Sequence, residues 1–257
     1  MADQGKYLYC IVRCSEARTF EDVAAIGDAP GLVHTLPLGS LAAVVSDSQG
    51  SMYETTRANM LAHQRVQERV LKELPLLPVR FGAVAGPPSP VAQVLRLLEK
   101  RGQEFEELLE EMAGNVELGL KALWRDEQAV FAEIVAENPA IRRLRAALEG
   151  KPPLAVHYER IRLGEMVKEA LNHKRDVEAA RLLGPLKDLA RRTVESPVFV
   201  DRMVANAAFL VDRAREPDFD DAVRKLDEGW GHRMRFKYVG HVPPYNFVNI
   251  AVNWQEL

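Results

Sequence analysis

Hydrophobic and polar positions along the chain follow two rhythms, a period of two and a period near 3.6, separated by glycine- and proline-rich breaks. The run Tyr7-Leu8-Tyr9-Cys10-Ile11-Val12 is β-branched and aromatic and predicts a strand. A short helix is expected over 20–25, with Thr19 as its N-cap and Asp22 three residues on. Gly27, Asp28, Pro30 and Gly31 punctuate a loop, and strands over 32–38 and 41–45 meet at Gly39-Ser40 as a hairpin. Residues 54–74 read as a helix, because His63, Val66, Val70 and Leu74 recur on one face, and Pro75 ends it. A strand is predicted over 76–84, up to the break Gly86-Pro87-Pro88. Ser89 caps a helix over 90–112, where Phe105, Leu108, Leu109 and Met112 hold one stripe while the glutamates of 104–111 form a solvated acidic face. Gly114 closes that helix, and 116–124 alternates as a strand with one buried face does.

From Asp126 the rhythm changes to helices over 126–148 and 154–192. They are interrupted at Asn138-Pro139 and Gly150-Lys151-Pro152-Pro153, and Gly184-Pro185 is expected to kink or divide the second. Their many Arg and Lys are interleaved with Glu159, Glu165, Glu169, Asp176 and Glu178, the pattern of a salt-bridged helix surface. A strand over 205–211, a helix over 217–230 with Phe219, Val223 and Leu226 at helical spacing, and a strictly alternating strand over 232–239 follow. The stretch "GHVPPYNFVNI" after them is proline-broken and aromatic. The fold class is therefore α+β in two domains. Residues 1–125 run β-α-β-β-α-β with one additional helix, a modified ferredoxin-like sandwich. Residues 126–257 form a helical part, then a small α+β sheet region that ends in a Pro/aromatic tail.

Composition narrows the function classes. With 47% hydrophobic and 28% charged residues the 257-residue chain can bury a sizeable core. A net charge of −3 argues against a general polyanion binder, which needs surplus Lys and Arg. No run of about 18 uncharged apolar residues suggests a membrane span, and the polar start gives no expectation of a secretory leader. Cys10 and Cys14 read as two reduced cytosolic thiols, too few for a zinc site. The six histidines are scattered, and His63 on an apolar helix face reads as a satisfied buried imidazole. No nucleophile elbow, zinc-protease helix, phosphate loop or dinucleotide fingerprint occurs, so no enzyme activity, metal or cofactor is expected. Trp124 reads as a core or domain-junction residue.

Three strings stand out: "LLPVRFGAV" at 76–84, "VELGLKALW" at 116–124 and "PPYNFV" at 243–248. With the N-terminal Tyr7-Leu8-Tyr9 and the helix bearing His63, Val66 and Val70, they keep the order seen in the GvpF/GvpL family of gas-vesicle accessory proteins, which the chain resembles along nearly its whole length. It departs from the family pattern at Gly240-His241-Val242, where Gly-Pro-Trp is expected. The resemblance implies a non-enzymatic cytoplasmic protein associated with gas vesicles. Its expected partners are the very hydrophobic shell protein GvpA, whose aggregation it would limit while helping nucleation, and other gas vesicle accessory proteins. It also implies two α+β domains.

Arg80 is the one charge in an otherwise greasy segment. On an extended strand Val79, Phe81 and Ala83 share one face, and Arg80, Gly82 and Val84 the other. Arg80 then locks a carboxylate or helix-end carbonyls between elements, or faces a partner beside an apolar patch; a phosphate-binding role has no supporting motif. Tyr245 and Phe247, after Pro243-Pro244, either anchor the tail or form an exposed aromatic docking segment. Arg80, Phe81, Tyr245 and Phe247 are the candidate partner-binding residues. The alternative is a ferredoxin-like RNA-binding module, with Arg233, Arg235 and Lys237 as a basic strand face, which the acidic pI of about 6.1 opposes.

Overall fold

The computed structural model describes residues 5–28 and 31–256; positions 1–4 of the polar start and Pro30 of the expected loop lie outside them. The chain divides into two compact units, one of residues up to Glu117 together with those from Gly240, the other Leu118–Val239. The segment from 240 thus belongs with the first unit, and not with the second as the sequence division at 125/126 had it.

The first unit is built around β1 (Gly5–Arg13), in which every residue from Tyr7 to Val12 is fully buried. β2 (Thr19–Phe20), β3 (Val33–Leu38), β4 (Leu41–Ser48), α1 (Arg57–Leu71), β5 (Leu76–Pro78), β6 (Val84–Ala85) and α2 (Pro90–Met112) follow. The sheet order is β2-β3-β4-β1-β5, with β6 also paired to β1, and the pairings of β1 with β4, β5 and β6 are antiparallel. A bulge between Leu8 and Cys10 shifts the β1–β4 register. An extra residue reverses the parity of a strand. Tyr7 and Tyr9 before the bulge, and Cys10 and Val12 after it, therefore join one cluster with Ala42, Val44 and the α1 residues Val66 and Val70. Leu8 and Ile11 are left to the opposite face, where Gly102 of α2 approaches the side chain of Leu41. α2 packs across β1, β3 and β4 there, burying Val94, Leu97, Leu98, Phe105 and Leu109.

Two expected elements are absent. No helix forms over 20–25; the segment pairs as β2 against β3 and then makes a 3-10 turn, Ile26–Asp28, in which Gly27 takes φ 74°. The Tyr9 hydroxyl accepts the Ile26 N–H at 2.9 Å, so a tertiary bond fixes this turn. The strand expected over 76–84 is broken as well, because Gly82 takes φ 91° between β5 and β6. Arg80 and Phe81 consequently sit on a turn, and the face alternation expected for them does not hold. α1 is shorter than its pattern, starting after Thr56, whose side chain accepts the Asn59 N–H.

β7 (Asn115–Trp124) carries the chain into the second unit. α3 (Glu127–Glu137), α4 (Pro139–Leu148), α5 (His157–Lys187), β8 (Arg192–Glu195), β9 (Met203–Asp212), α6 (Glu216–Trp230) and β10 (Met234–Val242) complete it, with sheet order β10-β7-β9-β8. With α3 and α4 set aside, this is the β-α-β-β-α-β order of a ferredoxin-like unit. That plan was expected of the first unit, which lacks the helix between its first long strands. α5 ends at Lys187 and not at 192, and the residues beyond it supply β8, an edge strand missing from the periodicity reading. Pro185 does not divide α5; it stands in the last turn, where its missing N–H costs one helical bond and only two helical residues follow it.

Arg233 precedes β10 and is not part of a free basic face. Its guanidinium is bidentate to Glu133 at 2.8 Å and also bonds Glu178 at 2.7 Å. Glu178 is buried and accepts the Trp124 indole N–H at 2.7 Å, while Lys174 reaches Glu133 at 3.0 Å. The hydrogen bonds from Arg233 hold the Glu133 carboxyl down at about 2. Trp124 is thus a buried residue of the second unit. Removing Arg233 leaves Glu178 a buried charge without its counter-ion, so Arg233→Ala should cost on the order of 3 kcal/mol. A fall in the urea midpoint of that size is expected; a loss under about 0.5 kcal/mol, the ordinary surface value, would refute this role.

Candidate functional site

The four candidate partner-binding residues meet at one place in the first unit, where the β5–β6 turn is tied to the segment after β10. Val79 forms a parallel bridge with Ile250, and the Arg80 N–H donates to the Ile250 carbonyl at 2.9 Å. Asn246 donates its backbone and side-chain N–H groups to the buried Glu117 carboxylate at 3.0 and 2.7 Å. Burial raises the Glu117 pKa, and the Asn246 bonds oppose that rise. Phe247, Val248 and Ile250 are buried, and Arg101 donates to the Ala251 carbonyl. Of the two readings of Tyr245 and Phe247, the geometry is that of an anchor.

Beneath the turn lies a chain of buried polar groups. The Gly82 N–H donates to the Tyr7 hydroxyl at 3.1 Å, and that hydroxyl bonds His63 Nδ1 at 2.9 Å. With Nδ1 accepting from the Tyr7 hydroxyl, His63 Nε2–H donates to the Val79 carbonyl at 3.1 Å. Gln67, one helical turn on, donates to the Tyr9 carbonyl at 2.6 Å and accepts the Tyr245 hydroxyl at 2.8 Å. Turn, α1, β1 and tail are joined through these side chains. Tyr7, Gln67, Glu117 and Asn246 were not singled out from the sequence. The usable signal was Gln67, a polar residue at an apolar-face position four after His63.

The surface over this knot is small and mixed. Arg80 is exposed, and its guanidinium has no ion pair among the described residues, so the carboxylate-locking reading is not realised. Phe81 is half-buried, with its ring 5.7 Å from His63 and 6.3 Å from Tyr7, and Tyr245 keeps 40% of its surface exposed. Among the described residues no group of three or more His, Cys, Asp or Glu is placed to hold a metal ion. Burial pushes the Cys10 thiol well above its ordinary range, which leaves it an inert core residue.

The chain belongs to a family of gas vesicle proteins, the gas vesicle synthesis protein GvpL/GvpF family, whose model matches residues 5–249. It is 33% identical over 246 residues to gas vesicle protein F of Streptomyces sp. (strain CB03234), covering 94% of this chain and 98% of that one. Gas vesicle protein F of Nostoc sp. (strain PCC 7120) is 28% identical, over 90% of this chain and 93% of its own. The crystal structure of the gas vesicle protein GvpF from Anabaena sp. PCC7120 superposes with a TM-score of 0.80 at 26% identity, covering 97% of this chain and 100% of that chain. The protein is thus gas vesicle-related, of a family not known for catalysis, and none of its described helices is long and apolar enough to cross a membrane.

Two expectations follow from the knot. Desolvation pulls the His63 pKa from 6.5 down to about 4, against the opposing bond to Val79. The folded state therefore binds fewer protons than the unfolded chain between these values, and stability falls as pH drops through that window. The loss should total about 3 kcal/mol by pH 4, and His63→Gln should abolish that part of the slope. Equal slopes for the two proteins in urea titrations would contradict the assignment. Deleting 243–257 should lower the melting temperature or cause aggregation, because it uncovers Val79 and strands Glu117; an unchanged melt would make the tail a mere appendage.

Proposed function

We propose that the protein binds the hydrophobic gas vesicle shell protein GvpA, limits its aggregation and assists nucleation of the shell, acting in the cytoplasm and at the vesicle. Family membership supports the setting. The observation that carries the contact is Arg80: an exposed cation without an ion pair among the described residues, held by its own backbone bond on the turn that also carries the half-buried Phe81 and that is tied to the segment of the partly exposed Tyr245. Such a combination of arginine and aromatics is the composition favoured at interface centres. A subunit made to build a wall exposes apolar surface and strand edges before it polymerises, and a partner that covers them suppresses side reactions. Phe247 is buried and is not itself a contact in this reading. The RNA-binding alternative loses its main feature, since Arg233 is engaged by two glutamates.

Co-expression of shell protein with wild type or Arg80→Glu tests the proposal. Because Arg80 has no ion pair to lose, Arg80→Glu should fold with stability within about 0.5 kcal/mol of wild type. It should leave less shell protein soluble. A wild type that solubilises no more shell protein than an empty vector would end the chaperone idea, and a fully protective Arg80→Glu would remove Arg80 from the interface.

A further inference from the structure

The α4–α5 hairpin of the second unit carries a surface that the reading above does not use. α4 packs against α5, yet the beginning of α5 and the turn before it expose Leu154 (94%), Tyr158 (82%) and Ile161 (48%). Tyr158 and Ile161, three residues apart, share a face of α5, and Leu154 stands on the 3-10 turn Pro153–Val156 just before it. Beside them, between the two helices, runs an open groove of about 340 Å³ lined by Arg145, Leu148, Glu149, Arg160 and Leu163.

Charge separates this hairpin from the rest of its unit. Elsewhere in the unit several cations are paired: Arg233 and Lys174 with Glu133, Lys187 with Glu195, Arg191 with Asp212, Arg224 with Asp221. Between 139 and 170 there are seven Lys or Arg against four Glu, a formal +3 in a chain of −3 overall. The salt-bridged surface expected here does not form, for Arg145, Lys151, Arg160 and Arg162 make no ion pair among the described residues. An apolar line flanked by unneutralised cations and a two-arginine groove has a defined complement.

We propose that this hairpin docks an acidic amphipathic helix of a partner protein, whose apolar ridge covers Leu154, Tyr158 and Ile161 and whose carboxylates meet Arg145 and Arg160. A helix in a groove with apolar anchors and charged flanks is a standard recognition mode. Two other occupants fit less well. An anionic bilayer is flat where this groove is concave. A second copy offers the acidic face of α2, but there Phe105, Leu109 and Met112 are buried, so it has no ridge to meet Tyr158.

The test uses the full chain and a fluorescent, stapled helical peptide of about 18 residues, five turns, with a leucine ridge flanked by glutamates. A matched peptide carries lysines instead, and phosphatidylglycerol vesicles stand for a bilayer. The glutamate peptide should bind, more weakly as salt rises. Binding should fall at least roughly tenfold with Arg145→Glu/Arg160→Glu and with Tyr158→Ala, exposed changes that leave the melt unaltered. Equal binding of both peptides, an unaffected double variant, binding to vesicles but not to peptide, or self-association abolished by the double variant would each overturn the proposal.

Discussion

A buried polar group must find a partner, and the first unit is organised around one solution to that constraint. Tyr7 enters on a central strand with no exposure at all, so its hydroxyl must be met inside. His63 meets it, and the imidazole in turn needs an acceptor, which the Val79 carbonyl supplies. Gln67 needs both a donor and an acceptor, which brings in Tyr245 from the far end of the sequence. Each member is costly to leave unsatisfied, on the order of 1–3 kcal/mol, so the set forms together or not at all. The positive φ at Gly82 and the departure of the chain from the β5 line follow from it, because the Gly82 N–H turns inward to Tyr7.

That constraint connects fold to function. A turn held by a backbone bond to Ile250 and by side chains below it fixes the Arg80 backbone, with little further backbone entropy to lose on binding. Among the described residues the guanidinium has no ion pair. Gas vesicle association follows from family membership, and the contact with the shell protein is the reading that this surface supports.

Much of the fold was legible from period alone. α2 and α6 carry their apolar residues at helical spacing, and the structure buries those residues. Other features depend on contacts between distant residues. All of Tyr7–Val12 is apolar, so no alternation marked the bulge that reverses the strand's parity. Phe20 became a strand residue because β3 was there to pair with it, overriding a capped-helix pattern. The run at 76–84 looked continuous because glycine's positive φ is invisible without the Tyr7 bond. Arg80, Phe81, Tyr245 and Phe247 could be named as candidates from odd strings, but Tyr7 and Glu117, though they stand in such strings, and Gln67 could not, since their importance lies in partners 56 to 178 residues away. Likewise, the glutamates spaced to neutralise the α5 cations do not reach them, and only the structure separates a paired surface from an unpaired one.

The central claim is that the shell protein sits on the Arg80 turn, and site-specific photo-cross-linking tests it directly. With p-benzoylphenylalanine at position 80 or at position 154, in the full chain co-expressed with shell protein, the account predicts a covalent adduct with shell protein from position 80. Adduct formation from position 154 alone, or from neither position while the two proteins still co-purify, would contradict it.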